Sequence, residues 1–165
     1  MVMPSKAKPK IQLPRPEAYN RFVEGLELRR VRLIEARVHA LDPMPNPAES
    51  EIELEEQYDF TPIEGGFEAV GRFRLRVRER KTKTEQGTVE VSFGFLYASV
   101  VSPGVPDFAG FFEVFKEINL PINMWPFARE YIHNAMARMD WPPFTLPLRK
   151  VGPPKRKQSR AKQSS

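Results

Sequence analysis

Two histidines are the residues of this sequence best suited to metal or acid–base chemistry, and they stand far apart. His39 lies in a predicted strand and His133 in a predicted helix, with no HxH, HExxH or Cys-His spacing around either. The sequence has no cysteine, which excludes thiolate nucleophiles, disulfides and sulfur-ligated metals. Gly65, Gly66 and Gly71 are spaced as in turns and strands and form no phosphate-binding loop. The sequence therefore predicts binding without turnover, with no enzyme activity, no metal and no cofactor.

Large aromatic and apolar residues bordered by prolines concentrate in residues 119–148. Asn123 is a suitable helix N-cap, and Pro126 then falls in the first turn, where a missing N–H costs little, so we expect a helix from about Met124. Apolar residues recur in it at three- and four-residue steps, which predicts one buried face. The Trp-Pro-Pro run at 141–143 ends the helix, because proline disfavours helical geometry in the residue before it. The chain then continues as an extended apolar segment.

This part of the chain resembles the signature of the SecB family of bacterial protein-export chaperones. The matching pattern is an asparagine, a short apolar run, an aromatic-proline-aromatic step and Ala-Arg-Glu, at residues 123–130. Residues 141–148 resemble the segment that follows the same helix in that family. The likeness covers roughly residues 26–151, and it is architectural before the last third. It implies an α+β fold, with a four-stranded antiparallel Greek-key sheet and two helices packed on one face.

The resemblance also implies a function and a set of partners. SecB-like proteins are ATP-independent holdases that keep non-native or precursor polypeptides unfolded in hydrophobic grooves for export and translocation. They pass these polypeptides to the motor SecA, and they form homotetramers built as dimers of dimers. Carried over by motif, with the crossover between the first two strands included, the expected client-binding residues are Trp125, Phe127, Tyr131, Trp141, Phe144, Leu146, Leu148 and Met44. The expected partner-contact sheet face comprises Glu51, Glu53, Glu55, Arg74 and Arg76. Packing in the core is the alternative role for the aromatics, because large aromatics are enriched in cores as well as at binding surfaces.

Residues 51–101 have the two-residue period of β-strands. Glutamates alternate with apolar residues from Glu51 to Glu55, and arginines alternate with apolar residues from Arg72 to Arg80. A hairpin that pairs residues summing to 127 sets Glu55 opposite Arg72 and sorts charged and apolar side chains onto opposite faces. The turn of that hairpin is expected over Thr61 to Gly66, and a further strand over Thr88 to Val101.

An earlier strand is predicted over residues 26–41, with a change of phase near Arg29-Arg30 that indicates a bulge. The proline-rich connector at 42–50 corresponds, in the resembling family, to the crossover that places the first strand beside the fourth. A short helix is predicted over 106–118, where phenylalanines form one stripe.

The net charge of +5 is unevenly distributed along the chain. Residues 1–18 carry +3 and residues 150–165 carry +6, so the residues between them carry the remaining −4. Both ends are rich in Pro, Lys, Gln and Ser, which predicts disordered basic tails over 1–18 and 152–165 around one chaperone domain at 19–151. No leader-like or membrane-spanning apolar stretch is found, so we expect a soluble cytoplasmic protein without membrane insertion.

Two alternative functions remain open at this level. The crossover lacks aromatics and has Met44 as its single large apolar residue. Arginines interrupt the sheet face, and the C-terminal tail is basic. These departures from the family argue against delivery to SecA and allow a SecB-like chaperone of an antitoxin. The other alternative is a single-stranded nucleic-acid-binding protein, in which basic tails contact phosphates while Phe93, Phe95 or Tyr97 stack on bases. Nucleic acid is the less favoured partner, because the helices should cover those aromatics.

Overall fold

The computed structural model describes residues 11–41, 44–142 and 144–149. In chain order its elements are α1 Pro16–Glu24, β1 Leu26–Ala40, β2 Ser50–Ile63, β3 Gly66–Glu79, β4 Glu85–Ser99, α2 Phe108–Glu117 and α3 Asn119–Arg138. The four strands form one antiparallel sheet in the order β1-β4-β3-β2. The connection from β1 to β2 therefore crosses from one edge of the sheet to the other. The predicted α+β class and Greek-key strand order are confirmed.

Strand β1 pairs with β4 along its length, with register shifts between Leu28 and Arg30 and between Leu33 and Glu35. The first shift is the bulge predicted near Arg29-Arg30. A bulge inserts one residue and reverses the phase of the side chains that follow, which is why the alternation in the sequence breaks there.

Strands β2 and β3 form a hairpin whose turn is shorter than predicted. Ile63 pairs with Gly66, so only Glu64 and Gly65 lie between the strands, and Gly65 has φ of 74°. The predicted register is wrong by two residues, since Glu55 lies opposite Arg74. A shift of two residues keeps every side chain on its predicted face, because the period of a strand is two.

The apolar face of the sheet forms the core together with α2 and α3. Phe73, Leu75, Val89 and Phe95 from the central strands are almost completely buried. Each such side chain stabilises the fold by about 1.5–3 kcal/mol relative to an exposed position. The stacking residues of the nucleic-acid alternative, Phe93, Phe95 and Tyr97, are buried in this same core, so they offer no platform for bases.

Helix α1 adds a layer that the sequence reasoning missed. Phe22 of α1 is buried among α2 aromatics, with its ring centroid 5.9 Å from Phe108 and 4.9 Å from Phe111. The helix begins at Pro16, inside the stretch predicted as an N-terminal tail. The tail predictions over residues 1–10 and 152–165 lie outside the described residues.

Helix α3 begins at Asn119, five residues earlier than the expected start at Met124. Pro121 is its first-turn proline, and Pro126 lies in the helix interior, where its ring removes one backbone donor. Asn123 does not cap the helix; its amide donates instead to the Tyr97 hydroxyl at 3.1 Å. No helix in the described part of the chain is long and apolar enough to cross a membrane.

Candidate functional site

The stretch after α3, residues 141–142 and 144–149, runs back along that helix and is called here the C-terminal segment. Its backbone carbonyls accept hydrogen bonds from side chains of α3: Arg129 Nε donates to the Leu146 oxygen at 2.8 Å, and Trp125 Nε1 donates to the Pro147 oxygen at 2.8 Å. Arg129 and Trp125 are four residues apart, so they lie on one helix face. Leu146 is bonded to Arg129 and Pro147 to Trp125, so residue numbers rise along the segment as they fall along the helix, and the two run antiparallel.

The end of the C-terminal segment is also fixed to β2. A guanidinium nitrogen of Arg149 donates to Glu56, and the same guanidinium lies 5.2 Å from the centroid of the Trp125 ring. Glu56 also accepts a hydrogen bond from the Tyr58 hydroxyl at 2.7 Å. Burial, followed by this hydrogen bond, raises the pKa of Tyr58. The segment therefore closes the space between α3 and the edge strand β2.

An open apolar cavity of about 230 Å³ lies where the C-terminal segment meets the crossover and β2. Its lining comprises Pro45, Pro47, Ser50, Ile52, Val77, Met136, Trp141, Pro142 and Phe144. Ser50 is the one polar residue of this lining, and its hydroxyl is already bonded to Gln86 at 2.8 Å. The cavity thus has the size and chemistry to accept an apolar side chain, and it offers no cluster of polar groups suited to catalysis.

The predicted client-binding residues differ strongly in exposure. Trp125 of α3 and Trp141 and Leu146 of the C-terminal segment are buried, at 8%, 7% and 4% exposed; they belong to the hydrophobic core and are called here the floor of the site. Met44 and Leu148 are 60% and 70% exposed. Phe144 and Tyr131 are half-buried. Direct client contact remains a prediction for all of these residues, and the exposed ones are best placed for it.

Phe127 and Tyr131 lie on the opposite flank of α3, away from the cavity. The ring of Phe127 packs 5.2 Å from that of Phe95 on β4, and Tyr131 lines a second cavity, of about 460 Å³, with Val38 of β1. The structure therefore divides the predicted site into a β2 flank, with the cavity and the C-terminal segment, and a β1 flank.

The β1 flank carries apolar residues that sequence reasoning did not select. Leu28, Leu33 and Val38 pair with Tyr97, Phe93 and Val89, which places them on the helix-covered side of the sheet. They remain between 44% and 51% exposed, because the described helices do not extend over the edge strand. The alternation of apolar residues in β1 was the available signal, but it gave no indication that this strand would be left uncovered.

The predicted partner-contact residues lie on the other sheet face, where their charges are paired. Arg76 contacts Glu55 at 2.9 Å, Arg74 contacts Glu90 at 2.8 Å, and Lys83 contacts Glu51 at 2.8 Å. The hydrogen bond from Lys83 lowers the pKa of Glu51. This face consequently carries alternating charges rather than an excess of negative charge.

The described residues contain no group of three or more His, Asp or Glu side chains arranged to hold a metal ion. His133 instead lies against the C-terminal segment, with its Nδ1 3.3 Å from the Phe144 oxygen and 3.1 Å from the Thr145 hydroxyl.

Similarity to known proteins is found at the level of the fold. No protein-family model matches the sequence, and no curated protein matches it. Among solved structures, the chain is similar to the SecB-like chaperone Rv1957 of Mycobacterium tuberculosis, in complex with a ChAD peptide from the Rv1956 HigA1 antitoxin. The TM-score is 0.67 at 18% identity, and the match covers 79% of this chain and 94% of that chain. This protein has the fold of the SecB-like chaperones.

Proposed function

We propose that this protein is an ATP-independent holdase that binds non-native polypeptides on the β2 flank of α3. The observation that carries the proposal is the open apolar cavity between the crossover and the C-terminal segment, in a SecB-like fold. The similar chaperone Rv1957 was solved with a peptide bound, which supports a polypeptide as the ligand.

The physical basis of binding is the burial of apolar client side chains. Apolar surface removed from water contributes about 25 cal/mol per Å², so a single small cavity gives weak affinity, and many contacts along one client chain are needed. Unfolded chains expose apolar residues that folded proteins bury. Selection by exposure rather than by a polar pattern gives low sequence specificity, and nothing in this mechanism requires turnover or a cofactor.

We propose a homotetramer, assembled as a dimer of dimers, because a long client then contacts several sites at once. The exposed apolar residues of the β1 flank support this assembly, since edge strands and apolar strips of this kind are usually covered by a partner. Leu33, at 51% exposed, lies near the middle of that strip.

Protein export is the general form of the proposal, and chaperoning of an antitoxin is the second candidate. Two observations favour the antitoxin role. The charges of the sheet face are paired, so this face provides few free carboxylates for SecA to bind. The similar chaperone Rv1957 has an antitoxin peptide bound. SecA therefore ranks below an antitoxin as a partner. We place the activity in the cytoplasm, because a chain without cysteine fits a reducing compartment.

The test is whether the purified protein, at stoichiometric amounts and without ATP, slows the refolding of a denatured test protein. We expect clear retardation by the wild type and several-fold weaker retardation by the Phe144→Ala, Leu148→Ala double variant, since two apolar contacts are lost at the rim. Val100→Ala is the matched control, because Val100 is 81% exposed at the far end of β4. A folded, oligomeric wild type that leaves refolding unchanged contradicts the proposal.

A further inference from the structure

Strand β2 is a free edge of the sheet, and its geometry is unusually regular for an edge. It pairs only with β3, from Ser50↔Glu79 to Ile63↔Gly66, without any register shift. The other edge, β1, has two register shifts. Bulges normally protect edge strands from pairing with other chains, so β2 lacks a protection that β1 has.

The backbone groups that face outward from β2 can be identified from its register. The Arg80 amide donates to the Glu49 oxygen at 2.6 Å, which makes this pair hydrogen-bonded. Antiparallel pairs alternate between hydrogen-bonded and non-hydrogen-bonded, so every second residue from Ile52 to Phe60 directs its N–H and C=O away from β3. Pro62 belongs to the same outward set, where a missing N–H removes no bond to β3. Within the described residues, no other backbone group bonds to this outer edge, and of its N–H groups that of Phe60 donates to the Asp59 carboxylate at 2.8 Å.

The side chains along β2 define what an added strand would meet on each face. Ile52 is on the apolar side and lines the cavity, together with Trp141 and Phe144. On the charged side, Glu51, Glu53 and Glu55 would be neighbours of the added strand; each already contacts a basic side chain of β3 or of the turn after it, and β2 itself contains no basic residue. Cross-strand neighbours of opposite charge stabilise a sheet and like charges destabilise it. The occupant that fits is an extended chain with apolar residues at one parity and basic or neutral residues at the other.

We infer that the free edge of β2 binds an extended segment of a client polypeptide as a fifth strand, continuous with the cavity. The inference rests on the proposed function and specifies how the site holds its client. Backbone pairing adds affinity that does not depend on client sequence, while the cavity and the acidic side chains select alternate residues. A second copy of this chain is a poor occupant, because antiparallel pairing of β2 with itself sets its glutamates against one another.

The experiment uses the full-length protein and short synthetic peptides that alternate valine and lysine. One peptide is unmodified, one is N-methylated at the lysines and one at the valines, and affinity is measured by fluorescence anisotropy. Only one parity of a strand donates toward its neighbour, so methylation should weaken binding at least tenfold in one peptide and little in the other, since several backbone hydrogen bonds are lost together. Equal affinity of all three peptides overturns the inference.

A matched pair of variants tests the same point from the protein side. Leu54→Pro and Leu54→Ala both remove a half-buried side chain, but only proline removes an outward N–H. We expect Leu54→Pro to bind the unmodified peptide about 3- to 10-fold more weakly than Leu54→Ala, from the loss of one hydrogen bond. Equal affinity of the two folded variants counts against the inference, and the methylated peptides decide the matter if Leu54→Pro does not fold.

Two further outcomes separate this inference from the proposed function. If the protein retards refolding but N-methylation of the peptides does not change their affinity, the holdase proposal stands and the fifth-strand inference is wrong. Absence of both retardation and peptide binding overturns both. A third variant is the chain truncated after Arg149. If it binds the unmodified peptide much more tightly than the full chain does, the protein's own basic C-terminal residues occupy the edge of β2, and our inference is wrong.

Discussion

The two flanks of α3 carry similar apolar side chains and have different surroundings. On the β2 flank the C-terminal segment covers the helix, accepts hydrogen bonds from it and leaves a defined cavity of about 230 Å³. On the β1 flank Phe127 is 38% exposed and no described segment lies over it. The resemblance to the SecB family groups Trp125, Phe127 and Tyr131 into one site. The structure instead places a cavity walled by a second segment on one flank and an uncovered apolar strip, where we propose the subunit contact, on the other.

The largest expected effect is on the β2 flank, where the floor supports both folding and the groove. Trp141→Ala should lower the free energy of unfolding by about 3–5 kcal/mol, because it empties a buried site against Gly87, where an added Cβ would overlap the Trp141 ring. Urea unfolding followed by circular dichroism measures this. A midpoint equal to that of the wild type would show that the segment is not part of the folded unit.

The next effect should appear on the β1 flank and concern assembly rather than folding. The Leu33→Asp, Val38→Asp double variant places charges on the exposed strip, so the oligomer should dissociate, while the subunit keeps its secondary structure because both side chains are already half-exposed. Sedimentation velocity gives the mass of each form. If the mass of the oligomer is unchanged in the double variant, the β1 flank is not the subunit contact, and the proposed difference in role between the two flanks is wrong.

Alkaline pH should destabilise the fold at two tyrosines, Tyr58 on the β2 flank and Tyr19 on α1. Burial raises the pKa of Tyr58, with hydrogen bonding to Glu56 as the second cause, and burial raises the pKa of Tyr19 to about 12. Because the folded pKa exceeds the unfolded value near 10, this stability is fully present below about pH 10 and is lost as the pH rises through the folded pKa. Tyr58→Phe and Tyr19→Phe should each flatten the alkaline loss, seen as the dependence of the urea midpoint on pH, at a cost of about 1 kcal/mol at neutral pH.

Only one of these tyrosines adjoins the C-terminal segment, which makes Tyr19→Phe the control. Tyr58→Phe frees Glu56 from one of its hydrogen bonds and should change the fluorescence of the Trp125 ring beneath Arg149. An identical spectral change in both variants would argue against a local effect.

The smallest effect should come from the charged face, which belongs to neither flank. Arg32 donates to both oxygens of Glu68, and this hydrogen bond lowers the pKa of Glu68. A lowered folded pKa contributes stability above the unfolded value near 4.3, which is lost as the pH falls through the folded pKa. Glu68→Gln should therefore reduce the loss of stability between about pH 5 and pH 3, by about 1 kcal/mol or less for an exposed pair. Acid titration followed by tryptophan fluorescence measures it, and an unchanged profile would assign no stability to this pair.

The sheet was largely predictable because its signals are periodic. Alternating glutamates and arginines assigned the faces of β2 and β3, and the break near Arg29-Arg30 located a bulge that the structure contains. The register slipped by two residues because Pro62 resembles a turn residue, whereas it lies within the edge strand, where a missing donor is tolerated. Helix α1 was missed since its nine residues bury only Phe22 among the aromatics of α2.

The candidate site was less predictable because its walls come from distant parts of the chain. Pro47 and Phe144 line the same cavity although almost a hundred residues separate them. Local periodicity cannot predict contacts between residues so far apart in the sequence. It also cannot distinguish the buried Trp141 from the exposed Leu148 within one apolar segment. The resemblance selects this segment as the client-binding region, which stays a prediction, and the packing determines which of its side chains are accessible.

The way the C-terminal segment is held also bears on how its specificity can evolve. Arg129 and Trp125 bond to the carbonyl oxygens of Leu146 and Pro147, groups that every amino acid possesses. The identity of the exposed Leu148 is therefore free to change while the backbone stays anchored. Under the proposed function, point mutations at this position alter the range of clients without the loss of stability that substitutions of cavity-lining residues such as Phe144 bring.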